Sequence, residues 1–252
     1  MVRKSIKRIY IYIYIYMKLF LNYGDKKFIL SRKRISLEAQ NLNYFDKIIT
    51  ETEDLKNDLE IIDCLKNPNF KKVFTAKRGW GYWIWNPYII YKNLQLLNDN
   101  DILVYSDSGS TIPNNKYTID KLNEYINIVK NSDKGVLAFR NPHIESKWTK
   151  GDVFKHFNCL DNENIYNTRQ FTANRIIIKK NVHSMALFKI WWETAKNYSH
   201  FFDDSKSITK NFNNFTENRH DQSVFSLICK TNGVEEDFDW KSIPIKLTRI
   251  KK

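Results

Sequence analysis

The sequence predicts a single α/β domain with a mostly parallel central sheet flanked by helices. Three observations carry that prediction. Short apolar runs alternate with segments of helical spacing along most of the 252 residues. The run Ile102-Leu103-Val104-Tyr105 is continuously apolar, as a parallel strand covered on both faces should be. No internal repeat and no Pro/Gly-rich linker divides the chain, and its length suits one core.

The elements follow in order. Lys18 to Gly24 reads as a buried first strand closed by glycine. Ser36 to Ile49 has apolar residues at Leu37, Leu42, Phe45 and Ile49, which predicts a helix. Glu53 to Leu65 predicts another, with Leu55, Leu59, Ile62 and Leu65 on one side. Arg78 to Trp85 is an aromatic loop or short turn. Asn86-Pro87 then looks like a helix start, with Asn at the cap and Pro at the first helical position. That helix continues to Leu97, Asn98 to Asn100 turn the chain, and the strand from Asp101 to Tyr105 ends in Ser106-Asp107-Ser108-Gly109-Ser110. A helix from Thr118 to Lys130, a strand at Val136 to Phe139 and a polar region with Trp148 to Asp152 come next. A strand at Arg175 to Ile178 precedes an amphipathic helix over Val182 to Tyr198, whose stripe is Met185, Phe188, Trp191, Trp192 and Ala195. Residues 199–218 are Asn-rich and predict a mobile loop. His220 to Lys230 predicts a last helix, and Ile243 to Leu247 a late strand.

The first 16 residues stand apart. Basic residues precede a strict Ile-Tyr alternation that stops at Lys18, too short for the roughly 20 apolar residues of a spanning helix. Tyr is a poor choice for a hydrocarbon centre, and no small-residue cleavage site follows. An AT repeat in the gene translates as this run. The expectation is an extension over 1–16 outside the fold, with the domain spanning 17–252 and Met17 as the true start. A peptide covering Tyr10 to Tyr16 in native protein, detected by mass spectrometry, would contradict the shorter start. The location implied is cytoplasmic, peripheral to a membrane at most.

Composition narrows the function. Aromatic residues at 15% need a core or stacking partners, which excludes a disordered chain. Cys64, Cys159 and Cys229 form no CxxC pair, so neither a disulfide framework nor a zinc site is expected. The net charge of +13 predicts an anionic partner, and the four basic residues of the leader account for the difference from +9 on the domain. No Walker, GxGxxG, HExxH or Gly-x-Ser-x-Gly motif is present. Basic charge beside aromatics would also suit a single-stranded nucleic-acid binder, but no such signature accompanies them.

Asp107 lies at the carboxyl end of a predicted strand, where ligands of open α/β sheets sit. It suits a hard cation, a sugar hydroxyl or a simple turn cap. His220 and Asp221 open the last helix, where Asp221 also favours the helix dipole. Arg78 is placed for a bidentate phosphate contact.

Four segments together resemble a family of glycosyltransferases with the GT-A fold, found in surface-glycan gene sets of bacteria and large DNA viruses. They are Gly81-Tyr82-Trp83-Ile84-Trp85-Asn86-Pro87-Tyr88-Ile89-Ile90, Asp101 to Gly109, Trp148-Thr149-Lys150-Gly151-Asp152-Val153-Phe154, and Arg219-His220-Asp221-Gln222-Ser223-Val224-Phe225-Ser226-Leu227. The resemblance spans roughly Met17 to Val234. It implies a Rossmann-like single domain that transfers a sugar from a nucleotide-diphosphate donor to a hydroxyl of a glycan, glycoprotein or glycolipid acceptor, with no specific nucleic acid. It further implies a donor site of Arg78, Tyr82, Trp83, Asp107, Ser108, Gly109 and Lys150. Asp152, Arg169, Gln170 and Gln222 belong to the acceptor side. Asp221 and Asp107 are the catalytic carboxylates, and Asp107 and His220 hold a divalent cation, Mn2+ or Mg2+. The usual Asp-x-Asp is here Asp107-Ser108-Gly109, with one acid, which also leaves open an inactive, glycan-binding relative.

Overall fold

The computed structural model describes residues 16–237 and 243–249. The Ile-Tyr run lies outside the described residues but for Tyr16.

The first strand β1 (Lys18–Tyr23) leads through a 3-10 turn into helix α1 (Ile29–Asn41), strand β2 (Lys47–Glu51), and short helices α2 (Leu59–Cys64) and α3 (Pro68–Phe74). Helix α4 (Asn86–Gln95), strand β3 (Ile102–Ser106), the short β4 (Ser110–Thr111) and helix α5 (Lys116–Asn131) follow. Strands β5 (Val136–Ile144) and β6 (Arg169–Lys179) flank three single-turn helices. Helices α6 (Val182–Asn197) and α7 (Asp221–Asn232) precede β7 (Glu235–Asp237) and β8 (Lys246–Leu247).

The central sheet has the order β2-β1-β3-β6-β5-β7. β1 is parallel to both β2 and β3, and β7 is parallel to β5. β6 alone runs against its neighbours, β3 and β5, so five of the six strands point one way. Strand periodicity divides the core in two. Leu19, Leu21, Tyr23, Leu103 and Tyr105 face α4, α6 and α7 with Ile89, Trp191, Trp192 and Phe225. Phe20, Ile102 and Val104 face α1 and α5 with Ile35, Leu122 and Ile126. Each such large apolar side chain contributes about 1.5–3 kcal/mol by leaving water. Ile102 to Ser106 are all buried, as a strand covered on both faces requires.

Several predicted elements are corrected. The helix expected over Ser36 to Ile49 runs instead over Ile29–Asn41, and Ile48-Ile49-Thr50 pairs with β1 as a strand. Leu37, counted in the helical stripe, is solvent-exposed, and the β-branched run prevails at Ile48 to Thr50. The helix expected from Glu53 breaks at Asp58, whose carboxylate accepts from Tyr88 and Lys92. The late strand keeps only Lys246 and Leu247, paired with β4. Residues 199–218, expected to be mobile, are tied down. The Asp152 carboxylate accepts the backbone N–H groups of Ile208 (2.8 Å) and Thr209 (2.7 Å), and the Asn211 side chain accepts the Gly151 N–H at 2.7 Å. A Cβ on Gly151 would stand 2.6 Å from the Thr209 carbonyl, so only glycine lets the loop approach.

A polar knot holds α7 to the sheet. Glu145 is fully buried and accepts from Lys230 (2.6 Å), Thr149, Gln170 and Ser226. Breaking a buried ion pair by removing one partner costs roughly 3–5 kcal/mol. Lys230→Met is therefore expected to lower the Tm by ~10 °C, read by circular dichroism. An unchanged Tm would contradict the pairing.

The cysteines Cys64, Cys159 and Cys229 are free, as their spacing predicts. Among the described residues no helix is long and apolar enough to cross a membrane.

Candidate active site

β3 delivers Asp107 to its carboxyl end. The Asp107 N–H donates to the Asn174 carbonyl on β6 (3.0 Å), and the Asp107 carbonyl accepts from Ser110 N–H (3.0 Å), closing the turn. Its carboxylate accepts from the Tyr105 hydroxyl at 2.8 Å. Burial pushes the Asp107 pKa up to about 6, against the opposing pull of Tyr105 and of the Arg175 guanidinium. Arg175 is buried opposite Ser106 in the β3–β6 register and donates to the Ile245 carbonyl at 2.8 Å. Arg34 on α1 donates to the carbonyls of Ser108 (3.2 Å) and Ser110 (2.9 Å), drawing the turn towards α1. Among the described residues a Cβ on Gly109 would come into van der Waals contact with the Arg249 backbone, at 3.7 Å, and the Thr248 hydroxyl donates to the Gly109 carbonyl at 3.2 Å.

Asp221 enters from the other side. It is the first residue of α7, buried, and its pKa is pushed up to about 8 by burial first and by the Asp107 charge in addition. The Asn86 amide opposes this, with Nδ2 donating to Asp221 Oδ2 at 2.9 Å. Two carboxyl groups far apart in sequence thus sense each other at one strand end. Coupled, environment-shifted acids of this kind mark sites of acid–base or cation chemistry.

Asn86 corrects the predicted cap. Trp85 occupies the cap position of α4 and Asn86 turns inward. It is a site residue that sequence reading missed; the signal was a lone amide inside the apolar Trp83 to Ile90 run. Asn86→Ala leaves the buried Asp221 carboxylate without its donor, which costs about 1–3 kcal/mol. The expected outcome is a lower kcat with KM nearly unchanged, because Asp221 is displaced while the Ser108–Gly109 turn stays intact. Equal loss through KM alone would contradict it.

The aromatic turn lies against Asp221. Gly79, Trp80, Gly81, Tyr82 and Trp83 all have positive φ, between 49° and 92°. A Cβ on Gly81 would stand 2.5 Å from the Phe74 carbonyl. The Tyr82 and Trp83 rings pack on the His220 imidazole with centroids 5.2 and 5.3 Å away. His220 Nε2 pairs with Asp204 Oδ1 at 2.9 Å, and Arg78 reaches both Asp204 oxygens at 3.1 and 2.9 Å. His220, expected as a metal ligand, is engaged with Asp204. Arg78, expected on the donor side, is ion-paired with Asp204 and lies 3.7 Å from Glu217. Asp204 was missed because it sits in the segment predicted to be mobile.

The remaining expected residues are placed as follows. Lys150 is buried, with Nζ on Asp203 (3.0 Å), Ser205 (3.2 Å) and the His200 carbonyl. Asp152 anchors the 207–209 segment. Gln170 is buried and accepts from Gln222 at 2.8 Å while donating to Glu145 and Thr149. Arg169 is exposed at the start of β6. Asn86 holds Asp221 and also reaches β6 beside the residue that holds Asp107, while Gln170 bonds to Gln222, next to Asp221, and Lys150 and Asp152 anchor the segment after α6.

Among the described residues no group of three or more His, Cys, Asp or Glu is placed to hold a metal ion. Asp107 and Asp221 nonetheless fit a hard cation in kind. Mg2+ or Mn2+ takes one or two protein carboxylates and completes its shell with water and substrate phosphate.

No protein-family profile matches the chain, and no curated protein does either. Several solved structures share part of its trace. Mouse xyloside xylosyltransferase 1 is 12% identical, with a TM-score of 0.44 over 88% of this chain and 84% of that one. A glycosyltransferase involved in glycosylation of the major capsid of PBCV-1 is 12% identical, with a TM-score of 0.40 over 72% and 67%. The galactosyltransferase LgtC, in complex with donor and acceptor sugar analogues, is 10% identical, with a TM-score of 0.38 over 83% and 70%.

Proposed function

We propose that this protein is a glycosyltransferase that moves a sugar from a nucleoside-diphosphate donor to a hydroxyl of a glycan or glycoconjugate acceptor. The observation that carries the reading is that Asp107, at the carboxyl end of β3, and Asp221, at the start of α7, are both tied to adjacent residues of β6: the Asp107 N–H donates to the Asn174 carbonyl, and Asn86, which donates to Asp221, also donates to the Ala173 carbonyl. The four motif segments that resemble GT-A transferases support it.

In this reading the Ser108–Gly109 turn at the end of β3 receives the donor. The anomeric carbon–oxygen bond breaks and the diphosphate departs with the electron pair. The acceptor oxygen bonds to the anomeric carbon, and its proton passes to a carboxylate base. Asp221 is that base, held by Asn86. Asp107 and Asp221 would hold a divalent cation, which when bound supplies positive charge to the leaving diphosphate. The basic excess of the chain suits an anionic glycan or a lipid-linked acceptor at a membrane surface.

Thermal unfolding in the presence of UDP- and GDP-sugars, with and without Mn2+ or Mg2+, tests the reading. A donor at 100 times its Kd stabilises the native state by about 2.7 kcal/mol. One donor is expected to raise the Tm by ~5–10 °C. No shift with any of them contradicts a nucleotide-sugar site.

A further inference from the structure

The surface beside Asp221 has features that donor binding does not use. Five consecutive residues of the aromatic turn hold positive φ, and three of them, Trp80, Tyr82 and Trp83, carry side chains. A left-handed backbone costs roughly 1–2 kcal/mol at each non-glycine residue. Strain of this kind persists where surrounding structure over-determines it, and it gathers at ligand sites. Here it presents the half-buried Tyr82 and Trp83 rings on the His220 imidazole.

At the rim, Arg78 and Asp204 form a two-pronged pair whose side chains are 46% and 43% exposed. Glu217 lies 3.7 Å from the same guanidinium, so the Arg78 charge is met by two carboxylates and does not draw a diphosphate. The pair offers planar N–H donors and carboxylate acceptors to solvent. Flat aromatic faces beside an exposed donor–acceptor pair complement a pyranose ring, which has an apolar C–H face and an edge of hydroxyls.

Position completes the argument. His220 immediately precedes Asp221, so the platform is one peptide bond from the proposed base. The Ser108–Gly109 turn is drawn towards α1 by Arg34.

We propose that Tyr82, Trp83, Arg78 and Asp204 form the subsite for the acceptor's sugar ring, and that its ligand is a neutral pyranoside. This assignment rests on the transferase reading and moves Arg78, Tyr82 and Trp83 from the donor to the acceptor side.

Saturation-transfer NMR on the full chain with the methyl pyranosides of glucose, galactose and mannose tests it. At least one is expected to receive saturation from the wild type. Its affinity is expected to fall ~10-fold in Asp204→Asn, the loss of about 1.4 kcal/mol of hydrogen bonding. The signal is expected to vanish in Trp83→Ala. Asp204 is a surface residue, so its variant remains informative if Trp83→Ala fails to fold. No saturation of any of the three glycosides overturns the subsite, as does an Asp204→Asn signal equal to the wild type. Release of nucleoside diphosphate from a donor, measured on the same sample, separates the two claims. Donor turnover without glycoside binding overturns the subsite alone. Glycoside binding without turnover of any donor overturns the transferase reading alone.

Discussion

Asp221→Asn is expected to lower the rate of sugar transfer by ~10²–10⁴-fold, the range that general acid–base catalysis supplies. The substitution keeps the shape of the side chain and leaves an amide oxygen to accept from Asn86, so α7 stays in place. What it removes is the group that takes the acceptor proton in this reading. The same variant has a signature in stability that a merely structural residue lacks. The Asp221 pKa is raised in the folded state to about 8. A carboxyl shifted upwards favours folding most where it is protonated, below its ordinary value near 4, and that advantage is lost as pH rises towards 8. The wild-type Tm is therefore expected to fall between pH 5 and about 8, with Asp107, pushed up to about 6, adding to the slope. Asp221→Asn has no charge to bury and flattens that fall. At pH 8.5 it is expected to be more stable than the wild type by ~1–3 kcal/mol, several degrees in Tm. An inactive variant with an unchanged pH slope would mean that Asp221 titrates normally and that its role is not that of a base.

Asp107→Asn is expected to remove transfer by a comparable ~10²–10³-fold, through loss of electrostatic stabilisation at the leaving group. Its effect differs in kind. Asn at this position still accepts from Tyr105, so the end of β3 holds. The missing charge weakens any cation held with the diphosphate, and thermal stabilisation by donor plus Mn2+ is expected to vanish. In Asp221→Asn that stabilisation is expected to be weakened but retained. Removing the Asp107 charge also relieves Asp221, whose pKa drops towards the carboxylate range because one of the causes raising it is gone. Full donor stabilisation in Asp107→Asn would place the donor elsewhere.

The sequence makes some of this legible for physical reasons. A continuous apolar run such as Ile102 to Tyr105 can be satisfied only by burial on both faces, so β3 and the position of Asp107 follow from composition alone. The Trp191-Trp192 stripe fixes α6 in the same way. Other features depend on partners distant in the chain. β2 was hidden because Phe45 and Ile49 fit a helical spacing as well as a strand one, and only pairing with β1 decides between them. Asn86 reads as a helix cap by local rules; only the arrival of Asp221 turns it inwards. Lys150 looks like a phosphate ligand beside Gly151 and Asp152, yet those residues grip the segment after α6. Asp204 could not be picked from an Asn-rich loop, because its meaning comes from Arg78 and His220 meeting there. Motif positions thus mark the candidate site, while burial and long-range contacts decide which side chains face it.

The most direct test of the central claim is release of nucleoside diphosphate by the purified chain from a panel of nucleotide sugars, with Asp107→Asn and Asp221→Asn run in parallel. The account predicts turnover of at least one donor by the wild type, and loss of that turnover in both variants while their far-UV circular dichroism stays native. Undiminished release in both folded variants would show that the Asp107–Asp221 pair is not the site of transfer.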